Sequence, residues 1–294
     1  MPELSDYDIK CAEVVRSSSV YDYTPSEGYS RYLSDVIHKE TTIPTREGET
    51  KVHIFTAKDL KKLAPVHIYV HGGGFARGHG VRDELCSAKY AALIQGIVYD
   101  IDYKLAPEYK FPCAFNEVYD VTKWIFDHID EIGGDSENVT ISGYSAGGNL
   151  TAAVAIRANE TQDFKLRMQI ICYAPTDLST DPEQKPKLPD NMPPERSRML
   201  NAMYVGDPDK ANSHYVSMVF APDNLLTGLP DALVIAAGND VLKFEGIELA
   251  KRLIENGVKV TAKCFPGCRH GFMINCMDSW EEAQQLVIDT INKY

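Results

Sequence analysis

The sequence predicts an α/β fold: a mostly parallel, doubly wound central sheet flanked by helices, with a small cap. Three observations carry that expectation. From residue 66 onward, short β-branched or apolar runs alternate with segments of helical periodicity. Several of those runs are apolar without interruption, as strands buried on both faces must be. One of them, residues 138–142, passes straight into an Ala- and Leu-rich helical pattern through Gly143-Tyr144-Ser145-Ala146-Gly147.

Size and charge narrow the function classes. A chain of 294 residues is long enough to bury a substantial core. Its net charge of -12, without a basic run, argues against a nucleic-acid partner. The N-terminus has neither a basic leader nor an apolar h-region, and no apolar stretch reaches membrane-spanning length. The expectation is a soluble, cytoplasmic protein with no membrane partner. Seven scattered cysteines, an odd number, suit a reducing compartment better than a disulfide framework. Cys264, Cys268 and His270 are close in sequence, but their spacing departs from zinc patterns and no second pair exists, so solitary thiols are expected and no metal.

In chain order, residues 1–38 are polar with intermittent apolar positions and read as one or two short helices forming an N-terminal cap segment. The catalytic domain is read as residues 39–294. It opens with two strands around a hairpin turn at 46–49. The buried strand 66–70 runs into His71-Gly72-Gly73-Gly74-Phe75. Three glycines in succession carry a large ordering cost, which suits either a mobile loop or backbone N–H groups that must approach a ligand closely. A helix over 82–95, a strand over 96–103 and a helix over 113–130 precede the Ser145 strand and helix. After a strand at 168–174, residues 178–228 break the rhythm with prolines and charges, and are expected to form a cap insertion. Strand 232–237, helix 241–256, strand 258–265 and helix 279–293 close the chain.

The chemistry centres on Ser145. Gly143 and Gly147 flank it because a strand-to-helix turn this tight leaves no room for side chains two residues either way. Taken alone, the pentapeptide also fits a glycine turn with an N-cap serine. A nucleophilic serine needs a base and a group to orient that base, both placed past the carboxyl ends of parallel strands. Asp240 follows the strand ALVIAAG, and His270 lies in the loop after VKVTAKCF. Their order, Ser then Asp then His, fits a hydrolase of this topology. Asp240 also suits an ordinary helix N-cap, and His270 an ordinary surface histidine. His71 is the rival base, although its place beside three glycines better suits shaping the loop.

Four motifs in order make a resemblance specific: HGGGF at 71–75, DYKLAPE at 102–108, GYSAGGN at 143–149 and DVLKFEG at 240–246. From about residue 40 onward the chain resembles the hormone-sensitive-lipase-like branch of the α/β-hydrolase esterases. The resemblance implies Ser145 as nucleophile, His270 as general base and acid, and Asp240 as the orienting carboxylate. It further implies an oxyanion hole from the backbone N–H groups of Gly73, Gly74 and Ala146, with His71, Gly72, Gly143 and Gly147 supporting the motifs. Tyr144 stands where the family usually has Asp, and Phe244 where it has a second acidic residue. The activity implied is cleavage of small, short-acyl esters through an acyl-enzyme, without cofactor or metal. The same triad serves sugar deacetylation or amide and peptide cleavage. Some relatives on this fold are non-catalytic receptors, but these generally have a damaged triad, unlike this chain. A homo-oligomer is compatible with the sequence and not required by it.

Overall fold

In a computed structural model, residues 4–17, 27–60, 63–189 and 192–293 are described. Strand β1 (Val36–Thr45) and strand β2 (Gly48–Ala57) form the antiparallel hairpin, turning at Arg46 and Glu47. The remaining strands are β3 (Ala64–Val70), β4 (Ile97–Asp102), β5 (Gly134–Tyr144), β6 (Met168–Cys172), β7 (Asp231–Asn239) and β8 (Val260–Arg269). Among the described residues they form one eight-stranded sheet in the order β1-β2-β4-β3-β5-β6-β7-β8. Every pairing from β4 to β8 is parallel. The carboxyl ends of β3, β5, β7 and β8 therefore open on one edge, where a site can form.

Helices cover both faces. In chain order they are α1 (Asp6–Ser17), α2 (Glu27–Ser30), α3 (Val81–Ile94), α4 (Cys113–Asp127), α5 (Ala146–Thr161), α6 (Pro194–Val205), α7 (Asp223–Leu226), α8 (Lys243–Glu255) and α9 (Trp280–Asn292). On α4, Val118, Val121 and Ile125 are wholly buried at helical spacing and join α5 and α8 on one face. On α9, Ala283, Val287 and Ile291 are spaced a turn apart and join α3 on the other.

Several boundaries differ from the sequence reading. The sheet begins at Val36, inside the segment read as 1–38; residues 1–3 and 18–26 of that segment lie outside those described. Strand β8 runs on to Arg269, through Pro266 and Gly267, which the sequence suggests as loop. It is an edge strand, where a residue without an N–H is tolerated, and the β7–β8 register shifts at this point. Helix α8 starts at Lys243 rather than Val241, because the Asp240 carboxylate accepts the Leu242 N–H at 3.1 Å and holds the chain in a turn first. Cys264 is exposed and Cys268 buried, both as free thiols.

A buried charge pair ties β4 to α3 and the loop that precedes it. His79 Nε2 lies 2.9 Å from Asp100 Oδ2, which also accepts the Ser87 hydroxyl at 2.8 Å. Burial alone would pull His79 down, but the charge and hydrogen bond of Asp100, helped by Asp83 and Asp102, push it up to about 9. The neighbouring His53 is held low by burial and by His79. His53 and His79 also approach Glu84 as metal ligands would, but their rings stack at 4.2 Å and 17°, which aims the nitrogen lone pairs side by side rather than at one point. A raised folded-state pKa stabilises fully below the unfolded value of about 6.5 and is lost as pH rises through about 9. Thermal unfolding between pH 6 and pH 10 checks this. The wild type is expected to lose roughly 2–3 kcal/mol more across that window than Asp100→Asn, and equal losses would remove the pair from the stability account.

Candidate active site

The end of β5 is shaped by what glycine permits. Ser145 adopts φ 53°, ψ -119°, a conformation costing on the order of 1–3 kcal/mol that persists only when its surroundings enforce it. Here they do. A Cβ on Gly143 would lie 2.1 Å from the Gly147 carbonyl oxygen, and one on Gly147 would lie 2.0 Å from that of Val70. The Ser145 N–H donates to the Cys172 carbonyl at 2.9 Å, pinning the turn to β6. The Ser145 side chain stands at the N-terminal end of α5, where developing negative charge is favoured.

Asp240 and His270 reach Ser145 through sheet register. Asn239 pairs with Arg269 across β7 and β8, so the residues that follow them emerge side by side. His270 Nδ1 lies 2.6 Å from Asp240 Oδ2, and His270 Nε2 lies 2.9 Å from Ser145 Oγ. A buried carboxylate fixes the tautomer: Nδ1–H donates to Asp240, which leaves Nε2 to accept the serine proton. The other Asp240 oxygen takes the Leu242 N–H, so one side chain both faces His270 and holds the turn before α8, whose N-cap position is Leu242. Burial pulls the His270 pKa down, yet the charge and hydrogen bond of Asp240 outweigh it and raise the pKa above its ordinary value.

The glycine loop closes over this pair. A Cβ on Gly72 would sit 2.8 Å from the Tyr144 carbonyl oxygen and 3.5 Å from Ser145 Cβ, so the loop backbone touches the elbow directly. Gly73, at φ 125°, uses its carbonyl to accept the N–H groups of Ala76 and Arg77 at 3.2 and 3.0 Å. Among the described residues, the N–H groups of Gly73, Gly74 and Ala146 donate to no backbone acceptor. His71 lies elsewhere in the loop. Its ring is buried, stacks on Tyr103 at 4.1 Å, and binds the Gly72 carbonyl through Nδ1 at 2.7 Å. Those contacts shape the loop and leave His270 as the histidine at Ser145.

A cavity of about 540 Å³ opens onto Ser145 and His270. Val15 of α1 and Leu188, Met192 and Leu200 from 178–228 supply apolar walls. Residues 190 and 191 of that insertion lie outside those described. Glu245 straps the insertion down: it accepts the Thr176 N–H at 2.7 Å and pairs with Lys185 at 2.7 Å. Burial pushes the Glu245 carboxyl up to about 7 against the opposing pull of Lys185. Tyr144 is fully buried; its hydroxyl meets those of Tyr90 and, at 3.5 Å, the Cys86 thiol. Sequence reasoning did not single out Tyr173, whose ring stands edge-on to His270 at 5.3 Å, or Arg82, which reaches Asn275 Oδ1 at 2.5 Å. Neither carries a local signal, because loops far apart in sequence bring them to the cavity.

Comparisons with known proteins agree with this architecture. The alpha/beta hydrolase fold family matches residues 67–274. A carboxylesterase, NlhH, of Mycobacterium tuberculosis is 30% identical over 76% of this chain and 70% of its own length. An arylesterase of Saccharolobus solfataricus is 30% identical over 89% of each chain. The solved esterase of Pyrobaculum calidifontis superposes with a TM-score of 0.80 at 28% identity, covering 98% of this chain and 93% of its own. Among the described residues, no helix is long and apolar enough to cross a membrane. With the family matched across most of its length, the chain belongs to the α/β-hydrolase fold family, in its hormone-sensitive-lipase-like carboxylesterase branch, and is a carboxylic ester hydrolase.

Proposed function

We propose that the protein hydrolyses small, short-acyl esters through an acyl-enzyme on Ser145. The observation that carries the reading is the relay Asp240–His270–Ser145, at 2.6 and 2.9 Å, on a serine held at φ 53°. His270 takes the serine proton as Oγ attacks the ester carbonyl, and returns it to the leaving alcohol. The N–H groups of Gly73, Gly74 and Ala146 receive the oxyanion, each donor contributing about 10²–10³ in rate. Water, activated by the same histidine, then releases the acid and frees Ser145.

The short-acyl preference follows from the family resemblance, and a cavity of small-ligand size is compatible with it. About 540 Å³ is within the usual range for small-ligand sites. Leu200 limits the loop side of that space: a Cβ on Gly74 would lie 2.8 Å from Leu200 Cδ2. In this reading α1 and residues 178–228 form the cap. A p-nitrophenyl ester series from acetate to palmitate tests it, with mass spectrometry of the trapped protein. The expected outcome is an initial burst, an acyl adduct on Ser145, and turnover that peaks on short chains. An adduct elsewhere, or a profile rising toward palmitate, would sink the reading.

A further inference from the structure

Four arginines line the Ser145 cavity, Arg269 beside His270 and three others that stand out on its wall. Arg77 lies in the glycine loop, Arg82 in the first turn of α3 and Arg196 on α6, and all three are half-buried residues that line the same cavity as Ser145 and His270. Two of them are held in place by side contacts. Arg82 donates to Asn275 Oδ1 at 2.5 Å, and Asn275 Nδ2 in turn donates to the Gly271 carbonyl at 2.8 Å, one residue from His270. Arg77 donates to the Val15 carbonyl at 2.5 Å. Arg77 is held below its ordinary pKa first by burial and then by the charges of Arg82 and Arg196.

The acidic groups on the same cavity are engaged elsewhere. Asp240 holds His270. Asp83 accepts the Tyr69 hydroxyl at 2.9 Å and the Gly80 N–H at 3.0 Å. Asp177 accepts the N–H groups of Ser179 and Thr180 at 3.0 and 2.9 Å and faces Lys185. Among the described residues Arg82 makes no ion pair. In a chain of net charge -12, a cationic wall on the cavity that holds Ser145 and His270 runs against the overall field, and screening confines each effect to within about 8 Å.

We propose that the preferred ester carries a carboxylate, and that Arg82, with Arg77 and Arg196, receives it inside the cavity while Ser145 attacks the ester carbonyl. A guanidinium fork matches a carboxylate with two parallel N–H bonds and fixes the substrate's orientation as well as its charge. The contact from Arg82 through Asn275 to the loop bearing His270 sets the anchored end at a defined offset from the base. This inference rests on the Ser145 reading and adds a substrate class to it.

Two matched pairs test it and report which side of the ester bears the charge. The acyl-side pair is the p-nitrophenyl monoester of adipic acid against p-nitrophenyl hexanoate. The alcohol-side pair is para-acetoxybenzoate against para-acetoxybenzamide. In each case the readout is the ratio of kcat/KM for the charged ester to that for its neutral partner, after subtracting the rate without enzyme. The wild-type ratio is expected to exceed one in at least one pair. In Arg82→Gln that ratio is expected to fall by about 10–100-fold, the loss of one charge-assisted contact, and Arg82→Lys should recover part of it. Arg77→Gln gives a second reading should Arg82→Gln fold poorly, as judged by thermal unfolding. A neutral preference in both pairs, or a ratio untouched by Arg82→Gln and Arg77→Gln, overturns the proposal alone. Absence of Ser145-dependent turnover by the wild type on all four esters would overturn the catalytic reading with it.

Discussion

Ser145→Ala is expected to lower kcat on p-nitrophenyl butyrate by about 10⁵–10⁶-fold while leaving the protein folded. The size follows from what is removed. Without Oγ there is no acyl-enzyme, His270 has no proton to accept, and the relay from Asp240 ends on a methyl group. What remains is the cavity and the backbone donors, which alone can orient an ester and stabilise charge on its carbonyl, a residual of about 10³–10⁴ over water. Stability should hold, because the surroundings keep the backbone at φ 53° and the N–H bond to Cys172 survives the change. Steady-state kinetics beside thermal unfolding checks both parts. A folded Ser145→Ala protein that kept even a hundredth of the wild-type rate would move the nucleophile elsewhere.

Much of this site was legible because its requirements are local. Gly143 and Gly147 report a turn in which any Cβ would strike a carbonyl, and such a constraint is written at fixed spacing. Asp240 and His270 were reachable by a longer argument: each follows a strand, and parallel strands deliver their next residues to one edge. Their pairing was not in the sequence, since it depends on Asn239 lying opposite Arg269 across a register shift. The sheet alternation from β3 to β7 was legible for the same reason, as buried parallel strands announce themselves by apolar runs. Strand β8 was read short because Pro266 and Gly267 usually end a strand, and only the edge position explains their tolerance. Residues 178–228 were legible as an irregular stretch, but not their fastening. The Lys185–Glu245 pair joins residues far apart in sequence, and burial of Glu245 is a property of the assembled fold. The arginine wall has the same character. Arg77, Arg82 and Arg196 are scattered through an acidic chain, where each alone looks like solvated surface.

Asp240→Asn is expected to cost about 10⁴ in kcat/KM, with geometry largely kept. An amide in this position still accepts the Leu242 N–H through its oxygen, so the turn before α8 survives. Its NH₂ then faces His270 Nδ1 at the place where a carboxylate oxygen stood 2.6 Å away. The ring must present a lone pair to that donor, which moves the proton to Nε2, the nitrogen facing Ser145 at 2.9 Å. A protonated Nε2 cannot take the serine proton. The pH profile separates this account from a general loosening of the site. The reaction needs neutral His270, so the acidic limb of kcat/KM follows its pKa, which burial lowers but Asp240 raises above the ordinary value. In the wild type activity should therefore rise with pH through a midpoint above about 6.5. Removing the carboxylate leaves burial unopposed, so in Asp240→Asn the midpoint should move to lower pH even as the plateau falls. A plateau loss with the acidic limb unmoved would show that Asp240 does not set the charge of His270, and that its place in the relay is structural alone.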